Sequence, residues 1–320
     1  GSAKCIYERI RNGNIEIADT LPLSEADRQR LTTYIEDFGN VPNMLFLTEL
    51  NRNKKYTETS KLLVFKKVYE WLTRNIIILS PDEPVTRFKY YYDHDSLEKV
   101  NRMIETFDTG ITQVNIEEIT TEELKNKLDT VIYEKVMRKI AEAMNNPLQT
   151  HYRMTMRSNT SFFNIEGSPS TEPKITTIQL HHGKSFFHFD FEDESDGTRR
   201  LFDLLDMLLI DTDDIVFVVD ELERSLHPKL TQRFLELFNE IHRERRIQLV
   251  FTTHEASIMD QSLFRRDEIW FIERNANNNS NVYSLERFKE RYDKVLSKAY
   301  LEGRYGAIPV FKSFENNEEE

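Results

Sequence analysis

The chain has 320 residues, 39% hydrophobic and 31% charged, with a formal net charge of −12. That length can bury a full core in one large or two moderate domains. No apolar run approaches the ~20 residues that span a bilayer, so no membrane partner is expected, and the acidic balance leaves only a local basic groove for nucleic acid. Cys5 is the single cysteine, which excludes an intrachain disulfide and a cysteine-held zinc and fits a reducing cytoplasm.

Residues 7–17 read as a hairpin around Asn12-Gly13-Asn14, since Asn-Gly tolerates positive φ in a tight turn. Residues 23–37 predict a helix with Ser24 as N-cap and Asp27 in its acidic first turn. Residues 62–78 read as an amphipathic helix running into an apolar strand, and Pro81 and Pro84 mark a break. Trp71 and Tyr90, Tyr91 and Tyr92 could stack on bases, with core or subdomain packing as the plainer alternative. Residues 96–107 and 121–144 are each helical by period. In the second, Leu124, Leu128, Ile132, Val136 and Ile140 form one stripe.

Residues 151–165 and 175–191 alternate as antiparallel strands, with turns at Gly167-Ser168-Pro169-Ser170 and His182-Gly183-Lys184. His181, His182 and His188 raise a metal set, but no pair has helical ligand spacing, and a solvated turn is the plainer alternative. Residues 198–209 predict a helix capped by Ser195, with Leu201, Leu204, Leu205, Leu208 and Leu209 toward the core. Its N-terminus offers unpaired N–H groups and partial positive charge, which suit a phosphate. Gly197 permits close backbone approach. Arg199 and Arg200 either contact phosphate or hold nearby acids.

Asp211-Thr212-Asp213-Asp214 is a second metal candidate or an acidic loop. It leads into residues 215–219, an apolar, mostly β-branched run that reads as a strand buried on both faces. Asp220 and Glu221 follow at its C-terminal end, where open α/β sheets bind ligands. Such acids can hold a hard cation such as Mg²⁺ and position or deprotonate a water. Otherwise the strand merely ends in two solvated carboxylates. A helix after Pro228 carries Leu230, Phe234, Leu237, Phe238 and Ile241, and residues 242–246 read as its solvated basic end. Residues 247–252 form the next buried strand, leading to His254. Residues 268–273 and 281–285 pair around a polar turn, 288–300 read as helix, and 315–320 as a disordered acidic tail.

Taken together, these segments resemble a known class. Residues 215–221 resemble the Walker B motif of ABC-type P-loop ATPases, and Ser225-Leu226-His227-Pro228 resembles the D-loop after it. Glu194-Ser195-Asp196-Gly197-Thr198-Arg199-Arg200 resembles the signature motif, and Phe251-Thr252-Thr253-His254 the switch-histidine strand. The chain resembles the bacterial AAA/ABC-like ATPases of the abortive-infection, RecF/OLD-like group. Residues 265–270, the short "LFLT" segment within 43–51, and Gly303-Arg304-Tyr305-Gly306-Ala307-Ile308-Pro309 add to the likeness. Asp196 departs from the pattern, where glycine commonly stands, and would repel phosphate unless it points away or caps the helix.

The resemblance implies an α/β ABC-type ATPase head with a mostly parallel core sheet, an antiparallel β portion and an inserted helical subdomain. Residues 1–80 would be the rest of an N-terminal lobe, 81–150 the helical insertion, 151–314 the signature, Walker B and switch lobe, and 315–320 the tail. ATP and Mg²⁺ are the implied cofactors. Asp220 would organise Mg²⁺ through water, Glu221 would position or deprotonate the attacking water, and His254 would contact the γ-phosphate. Ser195, Gly197 and Thr198 would bind nucleotide in trans across a homodimer, with Ser225 and His227 at its interface. A separate nuclease or other effector, in phage defence, is the implied partner. No G-x-x-x-x-G-K-[ST] occurs. The chain is therefore expected to be a fragment, inactive alone, with a naturally loop-less relative as the alternative. Two other classes stay open: a metal-dependent nuclease using Asp211, Asp213 and Glu221, and a non-catalytic module that docks on a complete ATPase.

Overall fold

Tyr7–Arg9 (β1) pairs antiparallel with Ile15–Ile17 (β2), as the intervening Asn-Gly predicts. The structure, a computed structural model, describes residues 7–9, 15–17, 22–38, 45–81, 94–145, 150–158, 160–169, 171–184, 186–275, 277–289 and 295–309. The hairpin's turn, Pro84, Tyr90 to Tyr92 and the acidic tail lie outside them. The chain divides into two compact units, residues 1–77 with 214–216, and residues 78–213 with 217–320.

In the first unit, helices Glu25–Phe38 (α1), Phe46–Asn51 (α2) and Leu63–Arg74 (α3) pack around Leu31, Phe46, Leu50, Leu62 and Phe65. Ser24 caps α1 as expected, its Oγ accepting from Asp27 N–H at 3.1 Å. The Asp27 carboxylate ties down the chain before α3, accepting from Ser60 Oγ at 2.6 Å and Lys61 N–H at 3.0 Å. Strand Ile76–Leu79 (β3) follows α3 and passes into the second unit at Ile78.

In the second unit, His94–Ile104 (α4) runs into a short 3₁₀ turn, Glu105–Phe107. Asp108 and Gly110, at φ 48° and 81°, then reverse the chain into a nine-residue strand, Ile111–Ile119 (β4). The segment 81–150 is therefore not purely helical. Polar residues on β4's exposed positions had masked its alternation. Nor is 121–144 one helix. It splits into Thr121–Lys127 (α5) and Thr130–Met144 (α6) because Leu128 is extended and Asp129 caps Val131 N–H at 2.8 Å. Strands Tyr152–Arg157 (β5), Phe162–Gly167 (β6), Lys174–His182 (β7) and His188–Asp190 (β8) are antiparallel as read. They and β4 form a sheet in the order β4-β7-β6-β5, with β8 also on β7. Helices α5 and α6 cover one face through Leu124, Val136 and Ile140 against Ile119, Phe163, Ile165 and Ile175.

Asp196–Leu209 (α7) is buried from Arg200 to Leu208. Arg157 Nη2 meets Asp203 Oδ1 at 3.3 Å, both side chains under a tenth exposed. One turn on, both oxygens of Asp206 are buried without a hydrogen-bond partner. Burial, reinforced by Asp203 and opposed by Arg157, pushes the Asp206 carboxyl well above the usual carboxylate range. Its folded pKa thus exceeds its unfolded one, so stability falls as pH rises from the unfolded value toward the folded one. Asp206→Leu, similar in shape, should raise stability by about 1–3 kcal/mol near neutral pH. Most of that gain should vanish below about pH 4, as read by denaturant titration at the two pH values.

Ile215–Val219 (β9) and Ile247–Phe251 (β10) form a sheet with β3 in the order β10-β9-β3. Asp220 N–H donates to Leu79 O and Thr252 N–H to Val219 O, each at 3.0 Å, and Leu222 N–H donates to Thr252 O at 3.1 Å. Partners advance in the same direction, so the strands are parallel. Pro228–Ile241 (α8) connects β9 to β10, and Phe217 meets Phe238 edge-on at 6.4 Å. The opposite face is more open than expected. Ile78 and Val250 are 69% and 55% exposed, and β9 alternates buried with half-buried residues. The basic run after α8 is not simply solvated either. His242 is buried and donates through Nε2 to Met207 O at 2.8 Å, while Arg245 meets Asp213 at 2.9 Å.

Trp270–Arg274 (β11) and Ser280–Ser284 (β12) form the expected hairpin. Among the described residues the last helix is Leu296–Leu301 (α9), and residues 285–287 are a separate 3₁₀ turn; residues 290–294 of the expected helix lie outside them. Phe271, Leu285, Leu296, Ala299 and Tyr305 form the local core. Among the described residues no helix is long and apolar enough to cross a membrane.

Candidate functional site

The chain turns sharply where β9 ends. Asp220 still bonds to β3, but Glu221 enters the left-handed region at φ 46°, a conformation costing a non-glycine residue roughly 1–3 kcal/mol. Bonds from neighbouring elements hold the corner. Glu221 N–H donates to Thr252 Oγ1 at 2.9 Å, and the same hydroxyl donates to Asp220 Oδ1. Arg200, buried on α7, places Nη2 3.5 Å from the Glu221 carbonyl oxygen. His254 lies beyond Thr252, its ring 87% exposed and its Nε2 3.7 Å from Glu221 Oε1. Its backbone N–H donates to Glu223 Oε1 at 2.7 Å. The structure therefore gathers Asp220, Glu221 and His254 at the C-terminal edge of the parallel sheet. There Asp220 can offer oxygens to a hard cation, while Glu221 and the exposed imidazole can orient a water and exchange its proton.

The start of α7 forms a second cluster. Ser195 is the N-cap, its Oγ accepting from Thr198 N–H at 3.1 Å and lying 2.9 Å from Thr198 Oγ1. Arg199 holds acid and loop rather than a free site. Nη2 bonds Asp196 Oδ1 at 2.5 Å, while Nη1 bonds the Glu194 and Glu192 carbonyls at 2.5 and 3.0 Å. That pairing offsets the negative charge of Asp196. Glu194 Oε1 lies 2.5 Å from His182 Nε2.

Gly197 is needed for close packing within the chain. A Cβ there would stand 2.5 Å from the Ser225 carbonyl oxygen, so the first turn of α7 and the loop after β9 touch backbone to backbone. Ser225 is itself left-handed, φ 61°. His227 caps α8, Nδ1 accepting from Lys229 N–H at 3.2 Å, with Pro228 in the first turn. The two clusters thus meet through Gly197 with Ser225 and Arg200 with Glu221.

Other candidates do not assemble. Asp213 precedes β9 and pairs with Arg245, whereas Glu221 follows it, so a five-residue strand at about 3.3 Å per residue separates them. Among the described residues no three His, Cys, Asp or Glu side chains converge as a metal set. The nuclease trio Asp211, Asp213 and Glu221 is therefore not a site. His181 meets His188 edge-on at 4.1 Å while His182 turns to Glu194. Gly183-Lys184, the chain's only Gly-Lys pair, lies in the turn between β7 and β8 instead of between a strand and a helix. Trp71 is 41% exposed on α3. Thr252 and Glu223 were missed, because hydroxyls and acids at strand ends are common and their targets are set by tertiary contact.

Residues 85–260 match the family model described as "AAA domain, putative AbiEii toxin, Type IV TA system". The match spans more than half the chain and includes both clusters. No curated protein matches the chain.

Proposed function

The chain belongs to the AAA-domain family typified by the AbiEii toxin, P-loop ATPases of the abortive-infection type, and from that premise we propose that it is an ATP-hydrolysing head. The convergence of Asp220, Glu221 and His254 on one sheet edge carries this reading. The donor set fits Mg²⁺. Asp220 supplies hard oxygens, and Thr252 engages Oδ1. Mg²⁺ bound there would offset phosphate charge.

Glu221 is the proposed base. Its half-exposed carboxylate can orient a water in line with the terminal phosphate and accept its proton. His254, beside it, donates a hydrogen bond to a phosphate oxygen. Ser195, Gly197 and Thr198 stand at an α7 N-terminus whose Ser195 is exposed, suited to phosphate held by a second copy. Ser225 and His227, exposed beside it, line the same proposed interface. Because no phosphate-loop motif occurs in the chain, the cradle for the β- and γ-phosphates is proposed to come from outside these residues. The family's description as a type IV toxin–antitoxin component supports a role in phage defence, and the ATPase is proposed to control a separate effector. The module alternative, docking on a complete ATPase, predicts no turnover with any phosphate loop supplied.

Head-to-head pairing is tested by mass. With ATP and Glu221→Gln to slow turnover, the protein carrying its phosphate loop should double its mass in light scattering, and Ser195→Arg should keep it monomeric. An unchanged mass with and without ATP would rule out the in-trans role.

A further inference from the structure

We propose that Thr252 is a positioning residue for the acid pair, holding Asp220 and Glu221 in working geometry through its one hydroxyl. The proposal rests on the ATPase reading above. A threonine hydroxyl has one proton to donate and two lone pairs. Here the directions are forced. The Glu221 amide can only donate, so the hydroxyl accepts from it at 2.9 Å. The Asp220 carboxylate can only accept when ionised, so the hydroxyl proton goes to its Oδ1. One oxygen of Asp220 is thereby fixed by a charge-assisted bond. Its carboxylate plane is set, and the other oxygen is left for a cation or its water.

The backbone of Thr252 reinforces the same corner. Its N–H donates to Val219 O and its carbonyl accepts from Leu222 N–H. Residues 219, 220, 221 and 222 are each bonded to residue 252. The left-handed turn at Glu221 removes that residue from the regular ladder, and the Thr252 hydroxyl supplies the acceptor its N–H would otherwise lack. Thr253, the adjacent hydroxyl, behaves differently: its Oγ1 accepts from Glu255 N–H at 2.9 Å and closes only a local turn. Both of its hydroxyl bonds lie in the exposed part of the corner, where water could serve either partner in its place. Its bonds serve the geometry of the acids.

Thr252→Val keeps the shape and removes the hydroxyl, while Thr252→Ser keeps the hydroxyl. In the protein supplied with its phosphate loop, Thr252→Val should lower kcat by about 10–100-fold, the scale of an ångström-sized misplacement. KM for ATP and the melting temperature should stay close to wild type, and Thr252→Ser should restore most of kcat. Amide exchange across residues 219–222 should quicken in the valine variant and return to wild type in the serine variant. Wild-type kcat in Thr252→Val, or a serine variant as slow as the valine one, would overturn the proposal. If the wild-type protein hydrolyses no ATP, the ATPase reading fails. Thr252 is then judged by exchange alone: unchanged exchange in Thr252→Val overturns it, and faster exchange rescued by serine supports it.

Discussion

Glu221→Gln should lower ATP turnover by about 10²–10⁴-fold, the scale of losing a general base, and should leave ATP binding intact. The amide has nearly the shape of the carboxylate but cannot take a proton from water. The backbone features of the corner, φ 46° and the N–H bond to Thr252, do not depend on the side chain that changes. Steady-state turnover and equilibrium ATP binding, measured on the same preparation, separate the two effects. Turnover within about threefold of wild type would assign the proton to another group.

Arg157→Met should have the largest effect on stability, about 3–5 kcal/mol, because it strands a buried carboxylate. Arg157 and Asp203 are 2% and 9% exposed and 3.3 Å apart. The guanidinium also lies 4.3 Å over the Phe191 ring, so the change removes a cation–π contact as well. Without Arg157, Asp203 would keep Arg200 as a neighbouring cation but would lose its direct partner, with Asp206 in the same buried stretch. Adding Asp203→Leu should recover much of the loss, since removing both partners of a buried pair is far milder than removing one. Denaturant midpoints of the single and double variants decide the point. A single variant costing under about 1 kcal/mol would mean that water reaches Asp203.

Much of this was legible in the residue pattern, for identifiable reasons. The run from Ile215 to Val219 is apolar throughout, the leucines of α7 repeat on a helical period, and Ser195 and Ser24 are strong caps. Each signal is local, and the structure has each element in place. Strand β4 was not legible, because Thr112, Gln113, Glu117 and Glu118 break its apolar alternation; its partner β7 lies more than fifty residues away. The break at Leu128-Asp129 was hidden because Leu128 continues the stripe of the two flanking helices. The sheet's open face was misread because a wholly apolar strand looks the same whether one face is covered or two. Arg199 and Arg200 carried two possible roles in the sequence. Distances to Asp196, two carbonyls of the preceding turn and the Glu221 carbonyl settle where they point. Thr252 illustrates the general limit: one hydroxyl joins two acids 31 and 32 residues earlier, and only the fold brings them together.

The missing clearance at Gly197 has a mechanical consequence. With backbone already against backbone at Ser225, the first turn of α7 and the loop after β9 mesh like gear teeth without backlash. Arg200 adds a second tooth at Glu221. A push on one side is transmitted to the other without first closing a gap. In the proposed dimer, each head would therefore sense the nucleotide of its neighbour and its own through the same rigid train, and the two sites would keep time together.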